Sequence, residues 1–223
     1  AGVLMESFDV IVIGAGSGLN ISSAASSMGL KTAIVEKGPM GGTCLNRGCI
    51  PSKMVIHAAD VVETINKAKI FGINSKGYAV DFRKVTERAS RIVDKDARGI
   101  EEAINQNKKT TLFKAEGRFV GYKTLQVGNK RIKGDKIIIA VGTRPNVPKI
   151  EGLKDVDFMT STEALRLTKQ PKSLTIIGGG YIAAELAHFY GALGTKINII
   201  QRRDTLIPYE DEEIAIRFTE IFK

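Results

Sequence analysis

The 223-residue sequence predicts an α/β fold with two Rossmann-like dinucleotide-binding domains, of which the second is incomplete. The first observation is that residues 8–37 follow the order strand, glycine turn, helix and strand, which defines a βαβ unit. The second is that residues 173–203 repeat this order. A proline-containing stretch, residues 144–152, is predicted to be a linker. The sequence therefore predicts one domain over residues 1–148 and the first part of another over residues 149–223.

The remaining elements follow from apolar periodicity and β-branched runs. FDVIVIG and KTAIVEK predict buried parallel strands, with a helix of small residues between them that ends near Gly29. Predicted after these are a helix over 51–72, a helix with a charged face over 81–106, short antiparallel strands within 111–121 and 124–134, an apolar strand over 135–145, and a last helix beginning near Glu210. One βαβ unit does not complete a nucleotide-binding half, so the sequence is expected to be cut short.

The first glycine loop, residues 14–18, predicts a pyrophosphate site. Glycines let the backbone approach the anion at a helix N-terminus, where free amides and the dipole favour negative charge. Gly14 and Gly16 fit the pattern, whereas Leu19 takes the third glycine position, with Gly18 one place early, and predicts a slightly displaced helix. Glu36 follows at the distance at which an acid accepts hydrogen bonds from ribose hydroxyls. The alternative is that these glycines serve packing alone.

The second glycine loop, residues 178–180, fits the pattern in full through Gly178, Gly180 and Ala183. Its second strand ends in Arg202 and Arg203 instead of an acid. Two arginines suit a 2′-phosphate, which predicts NADP over NAD. The alternative is that both arginines are merely exposed at a strand end.

Cys44 and Cys49 are the only cysteines of the chain. Residues five apart in a helix are separated by ~7.5 Å along its axis, whereas a disulfide requires Cα atoms within ~7 Å. If the two are to bond, the chain between them must bend, for which Asn46 and Gly48 are suitable. A helix starting near Pro51 would place Cys49 at its N-terminus, where thiol pKa values fall. The alternatives are a zinc site that combines the two cysteines with the two histidines, of which His188 lies far along the chain, or two buried thiols that pack as small apolar residues.

Composition and charge exclude few classes of protein. The net charge is +9, but the basic residues are scattered and accompany no nucleic-acid motif, so a phosphate-bearing cofactor explains them better than nucleic acid. Apolar runs stay short of the ~20 residues that span a bilayer. The start of the chain lacks an export signal, which predicts a reducing, cytoplasmic location for the cysteine pair.

Four motifs together resemble one family. GGTCLNRGCIPSK, GAGSG, IIIAVGTRP and IIGGGYIAAELA occur in the order found in the flavin-dependent pyridine nucleotide–disulfide oxidoreductases, which include dihydrolipoamide dehydrogenase, glutathione reductase, mycothione reductase and mercuric reductase. The resemblance runs from Phe8 to Lys223. It departs from the family at Leu19 and at Arg47, which stands where relatives usually carry valine and would steer an anionic substrate or face solvent.

The resemblance implies the following site residues. FAD is expected to contact Gly14, Gly16, Ser17, Gly18, Glu36, Lys37, Gly42, Thr43, Lys53, Gly117, Ala140 and Gly142. The nicotinamide nucleotide is expected to contact Gly178, Gly180, Tyr181, Ile182, Arg202 and Arg203, with Tyr181 shielding the flavin until nicotinamide arrives.

The resemblance also implies catalytic roles. Cys44 and Cys49 would form the redox disulfide, with Cys49 nearer the flavin and Cys44 attacking the substrate. Lys53 would lie by the flavin ring and pair with Glu185, where a cation stabilises charge on the reduced ring. No metal is expected. His57 is predicted on the core side of its helix, and neither His57 nor His188 is assigned as the catalytic base.

The implied function is electron transfer between NAD(P)H, FAD, the cysteine pair and a small-molecule or carrier-bound disulfide. The cysteine motif most resembles dihydrolipoamide dehydrogenase. The alternatives are an NADPH-dependent reductase of the mycothione, glutathione or mercuric type, or a non-catalytic nucleotide-binding fragment. Relatives continue into a domain that forms a homodimer and supplies a catalytic histidine–glutamate pair, so residues 1–223 alone are expected to be inactive towards disulfides.

Overall fold

The computed structural model describes residues 5–223, so the first four residues of the predicted first domain lie outside the described residues. The chain forms two compact units. The first holds the chain up to Ile50 together with Ile92–Val147, and the second holds Pro51–Arg91 together with Pro148–Lys223. Residues 144–152 form neither helix nor strand. The functional division of the chain near residue 148 stays a prediction.

A six-stranded sheet forms the first unit. Its strands, in chain order, are β1 (Glu6–Ile13), β2 (Thr32–Val35), β3 (Thr110–Phe113), β4 (Gly117–Gly121), β5 (Thr124–Val127) and β6 (Lys130–Ile139). In space the order is β3-β2-β1-β6-β5-β4. The pairs among β3, β2, β1 and β6 are parallel, and β4, β5 and β6 form an antiparallel meander. The helices are α1 (Gly18–Ser27), α2 (Gly42–Arg47), α3 (Cys49–Lys67) and α4 (Phe82–Gln106), the last two shared with the second unit.

The core of the first unit explains why β1 reads as a continuous apolar run. On one face of the sheet, Ile11 and Ile13 pack with residues of the meander such as Leu125. On the other face, Val10 and Val12 pack with Ala25 of α1 and its neighbours. A parallel strand covered on both faces needs apolar residues at every position. The carboxyl ends of β1 and β2 therefore lie side by side, next to Gly14 and Glu36.

Two predictions about the strands were wrong. β3 pairs in parallel with β2, although residues 111–121 were predicted to be antiparallel. β6 runs without interruption across residues 134 and 135, although one predicted strand segment ended at 134 and another began at 135. Gly134 instead permits close packing, since a Cβ there would lie 2.8 Å from Cγ1 of Ile11.

The second unit contains a two-stranded parallel sheet. Its elements are α5 (Ser161–Ala164), β7 (Ser173–Ile177), α6 (Tyr181–Ala192), β8 (Lys196–Ile200) and α7 (Glu212–Phe222), together with parts of α3 and α4. Phe82, Phe189 and Tyr190 form an aromatic cluster at its centre. The Tyr190 hydroxyl donates to the carbonyl of Ala164 at 2.6 Å, and burial raises the pKa of Tyr190. Asp211 caps α7, close to the predicted start at Glu210.

The predicted α/β class and the parallel sheet are confirmed. No helix within residues 5–223 is long and apolar enough to cross a membrane.

Gly14→Ala should destabilise the first unit more than a change at a matched glycine. Gly14 has φ +103°, and a Cβ there would clash with the Ala140 carbonyl oxygen. Gly72 also has positive φ but no described neighbour within 4 Å of a Cβ, so Gly72→Ala isolates the backbone strain. We expect Gly72→Ala to cost about 1–2 kcal/mol and Gly14→Ala about 1–3 kcal/mol more. Urea unfolding measures both, and equal losses would contradict the proposed clash.

Candidate functional site

The first glycine loop packs backbone against backbone at the end of β1. The Gly14 amide donates to the carbonyl of Val35 at 2.9 Å, and the Ala140 amide donates to the carbonyl of Ile13 at 2.8 Å. A Cβ at Gly18 would lie 2.7 Å from Cγ1 of Val12, so Gly18 makes the close helix-to-strand contact. The loop therefore starts α1 directly above the strand ends, so the helix N-terminus, which favours an anion, lies at that edge of the sheet.

The segment that leads to the cysteines lies against this loop. The Gly41 amide donates to the carbonyl of Ala15 at 2.7 Å. A Cβ at Gly42 would lie 2.5 Å from the Cα of Gly16, so the two backbones touch without side chains between them. The first unit thus brings the glycine loop and the start of α2 together.

Glu36 lies at the same loop. Its carboxylate accepts the Ala15 amide at 2.9 Å and the Gly38 amide at 2.7 Å. A carboxylate has about four acceptor sites, so two remain for ribose hydroxyls. Bare backbone at a helix N-terminus beside an acid fits a dinucleotide such as FAD.

The other residues predicted to contact FAD differ from one another in exposure and in their contacts. Gly117 packs against the end of β2, since a Cβ there would lie 2.9 Å from Cγ1 of Val35. Ser17, which belongs to the loop, and Thr43, which follows Gly42, are both exposed. Lys37 forms an ion pair with Glu116 at 2.8 Å. Gly142 is exposed, and no atom of residues 5–223 lies within 4 Å of a Cβ built on it.

Cys44 and Cys49 lie on two helices with a break between them. Cys44 belongs to α2 and Cys49 begins α3, with Gly48 at the break. A Cβ at Gly48 would lie 2.9 Å from the carbonyl oxygen of Thr43, so glycine allows the chain to fold back there. The predicted bend at Gly48 is confirmed.

Both cysteines are present as exposed thiols, and they interact. The Cys44 thiol hydrogen-bonds to Cys49, which raises the pKa of Cys44. Partial removal of Cys44 from water and the electrostatic effect of Cys49 act in the same direction. The pair therefore holds a proton on Cys44 in preference to releasing it.

Asn46 was predicted to help bend the chain, but it lies inside α2. Its side-chain amide is buried and donates to the carbonyls of Met40 at 2.8 Å and Gly42 at 2.9 Å. Asn46 therefore anchors α2 to the segment that touches the first glycine loop. The only sequence signal for this role is an asparagine between the two cysteines, and that signal also fits the turn residue that was predicted.

In the second unit, α3 and α6 are joined by two polar pairs. Lys53 forms the predicted ion pair with Glu185. About two turns further along α3, Oδ1 of Asp60 lies 2.8 Å from Nε2 of His188 in α6. This contact was not predicted. His57 is exposed, so its predicted position on the core side was wrong. Among the described residues, no group of three His, Cys, Asp or Glu side chains is placed to hold a metal ion.

The second glycine loop is open at Gly178 and Gly180, whereas the side chain of Gln201 lies against Gly179. No atom of residues 5–223 lies within 4 Å of a Cβ built on Gly178 or Gly180. Tyr181 and Ile182 begin α6 directly after it, and both are exposed. This arrangement leaves room for a pyrophosphate at the first turn of α6.

The arginines that follow β8 are exposed. The guanidinium of Arg203 lies 5.5 Å from the ring centroid of Tyr209. Stacking of this kind orients a guanidinium while leaving its edge available to an anion.

Two further residues were missed by sequence reasoning. Lys114 donates to the carbonyl of Gly38 at 2.7 Å and pairs with Glu101, which ties β3 to the turn beside Glu36. Glu210 accepts a hydrogen bond from Tyr181. Neither belongs to a recognised motif.

Comparison with known proteins gives consistent matches. The model of the pyridine nucleotide-disulphide oxidoreductase family matches residues 8–223. A mercuric reductase of Staphylococcus aureus is 36% identical over 93% of the chain and 38% of the relative. A dihydrolipoyl dehydrogenase of Bacillus subtilis (strain 168) is 34% identical over 97% of the chain and 48% of the relative. A mycothione reductase of Mycobacterium tuberculosis (strain CDC 1551 / Oshkosh) is 34% identical with the same two coverages, 97% and 48%.

A solved structure agrees with these. The Cu(II) complex of the HOCl-induced flavoprotein disulfide reductase RclA from Escherichia coli superposes with a TM-score of 0.82 at 27% identity, over 96% of the chain and 46% of that protein. The chain thus spans about half the length, or less, of the relatives it matches.

Cys49→Ala should lower the pH at which Cys44 is alkylated. Cys49 raises the pKa of Cys44, so its removal moves that pKa down towards the ordinary value. The reduced chain has no further cysteine, so the pH profile of iodoacetamide labelling in the variant reports Cys44 alone. Wild-type labelling is resolved by mass spectrometry of the peptides, and circular dichroism checks the fold. A Cys44 profile that is unchanged or moves to higher pH would contradict the interaction.

Proposed function

We propose that this chain, which belongs to the pyridine nucleotide-disulphide oxidoreductase family, forms the electron-transfer part of a flavin-dependent disulfide oxidoreductase. Electrons pass between NAD(P)H and a substrate disulfide by way of the pair Cys44 and Cys49. The enzymes of this family use FAD with NAD(P)H, so we assign FAD and a nicotinamide nucleotide as the cofactors of the chain.

One observation carries the proposal: a pair of interacting thiols directly follows a segment that touches a dinucleotide loop. Cys44 hydrogen-bonds to Cys49, and Gly42, two residues before Cys44, contacts Gly16. Thiols that are exposed and adjacent can exchange with an external disulfide. Their closeness to the loop supports electron exchange with a cofactor bound there.

The residues that would hold FAD are those around the first glycine loop. The amides of Gly16 and Gly18 at the start of α1 would hold the pyrophosphate, and Glu36 would accept the ribose hydroxyls. When bound there, FAD would supply the two-electron redox chemistry that links the nicotinamide to the cysteine pair. Lys53, oriented by Glu185, would supply positive charge to the ring.

The cysteines divide the exchange between them. Cys44, once deprotonated, attacks one sulfur of the substrate disulfide, which forms a mixed disulfide and releases one substrate thiolate. The Cys49 sulfur then attacks Cys44, which closes the Cys44–Cys49 disulfide and releases the second thiolate. The substrate gains two electrons and the cysteine pair loses two. Because the pKa of Cys44 is raised, its first step needs a base.

The substrate and the nucleotide are the finer parts of the proposal. The cysteine motif favours a dihydrolipoamide dehydrogenase-like enzyme, and a dihydrolipoyl dehydrogenase is among the relatives. The exposed arginines Arg202 and Arg203 favour NADPH, which suits the second candidate, a reductase of the mycothione or mercuric type. A cytoplasmic location, a homodimer, and a small-molecule or carrier-bound disulfide partner complete the proposal. Arg47, which is exposed, would attract an anionic substrate.

Reconstitution with FAD tests the cysteine assignment. The reconstituted protein should be yellow, and Cys44→Ser should show a long-wavelength absorbance band without reductant, because Cys49 could no longer form the disulfide and its thiolate would lie against the flavin. Cys49→Ser is the matched control and should lack the band while retaining flavin. A protein that stays colourless would contradict flavin binding, and a band in the control instead would reverse the two roles.

Nucleotide preference tests the arginines. Replacing both Arg202 and Arg203 with alanine should raise the Kd for NADPH by about ten- to a hundred-fold, since a charged hydrogen-bond contact is lost. The Kd for NADH should change little, because NADH lacks the 2′-phosphate. Lys196→Ala, at the opposite end of β8, is a control that removes one positive charge from the same strand and should affect neither Kd. Equal effects on both nucleotides would show that the arginines do not read the phosphate.

A further inference from the structure

The segment from Gln201 to Glu210 folds back over the second glycine loop. The Ile207 amide donates to the carbonyl of Gly179 at 2.6 Å. A Cβ at Gly179 would lie 2.9 Å from Cδ of Gln201, so this side chain lies directly against the loop. Ile207 is buried with φ +45°, a rare conformation for a β-branched residue that persists only where surrounding contacts hold it. The segment is therefore held against the loop.

The end of this segment is tied to the helix that the loop begins. Tyr181, the first residue of α6, has 60% of its surface exposed, and its hydroxyl donates to the carboxylate of Glu210. The Glu210 amide donates to the carbonyl of Ile207 at 3.1 Å. The carboxylate raises the pKa of Tyr181 because it stabilises the protonated phenol.

This contact occupies the position that favours an anion. The first turn of a helix attracts negative charge, and Tyr181 is the first residue of that turn. Glu210 already brings a carboxylate to the Tyr181 hydroxyl. A pyrophosphate at the second glycine loop would meet both the ring and the carboxylate, and like charges at such short range repel.

We propose that the hydrogen bond between Tyr181 and Glu210 is a latch over the second glycine loop, and that it opens when a nicotinamide nucleotide binds. Glu210 is a positioning residue in this scheme: it holds Tyr181 and contacts no reacting atom. The inference rests on the proposed function, because it takes the second loop to be a nucleotide site. It adds a residue that belongs to no motif of the chain.

A double-mutant cycle tests the latch. The variants are Glu210→Ala, Tyr181→Phe and the double variant. Glu212→Ala is the matched control, because Glu212 is an exposed acid two residues after Glu210, at the start of α7. The Kd of each for NADPH is followed by the fluorescence of the nucleotide. Each single change should tighten binding by about two- to five-fold, the range expected for an exposed polar pair. The Glu212→Ala control should leave the Kd for NADPH unchanged.

Coupling between the two changes decides the result. If either change opens the latch, the double variant binds NADPH less tightly than the product of the two single effects. Effects that multiply independently would mean that Glu210 only repels the nucleotide, and would overturn the latch while leaving the nucleotide site intact. NADPH binding by none of the proteins would overturn the proposed function, and the latch with it.

A spectroscopic readout reports the bond without nucleotide. The chain has five tyrosines and no tryptophan, so phenol ionisation can be followed by near-ultraviolet absorbance. Glu210→Ala should move one ionisation to lower pH than in the unchanged chain, and Tyr181→Phe should remove that ionisation. A tyrosine titration that Glu210→Ala leaves unchanged would overturn the latch.

Discussion

The candidate site depends on backbone meeting backbone at the first glycine loop. At Gly14 and Gly42 a single added carbon would overlap the main chain of Ala140 and of Gly16. These contacts place the end of β1, the end of β6, the start of α1 and the start of α2 at one point. The acid Glu36 and the cysteine pair reach the site only because that point has no side chains in it. Packing and function therefore constrain the same glycines.

Much of this could be predicted from the sequence. A buried parallel strand, a glycine turn and an acid at the end of the next strand have short-range signatures, and the α/β fold they predict is confirmed. The family resemblance, stated from four motifs, is confirmed over residues 8–223. The break at Gly48 was predicted from the spacing of Cys44 and Cys49 together with the suitability of glycine for a bend.

The wrong or missing predictions depend on long-range partners. The predicted strand segments met at Gly134, where Ile11 packs closely against a continuous strand. Asn46 is typical of turns, but in the fold its buried amide donates to the carbonyls of Met40 and Gly42. His57 follows the helical period but points to solvent. The contact between His188 and Asp60 joins residues far apart in the chain, which no local pattern reveals. In each of these cases tertiary context overrides the local signal.

β6 has a consequence for the order in which the first unit can open. Residues 130–133 of β6 pair with β5 of the antiparallel meander, residues 132–139 pair with β1, and Ala140 follows directly at the glycine loop. A continuous strand shared in this way cannot lose one set of partners without loosening its hold on the other. Opening of the meander and opening of the loop should therefore belong to one cooperative unit, with amide hydrogens that exchange together. The stability of the antiparallel meander would then set how often the first glycine loop opens.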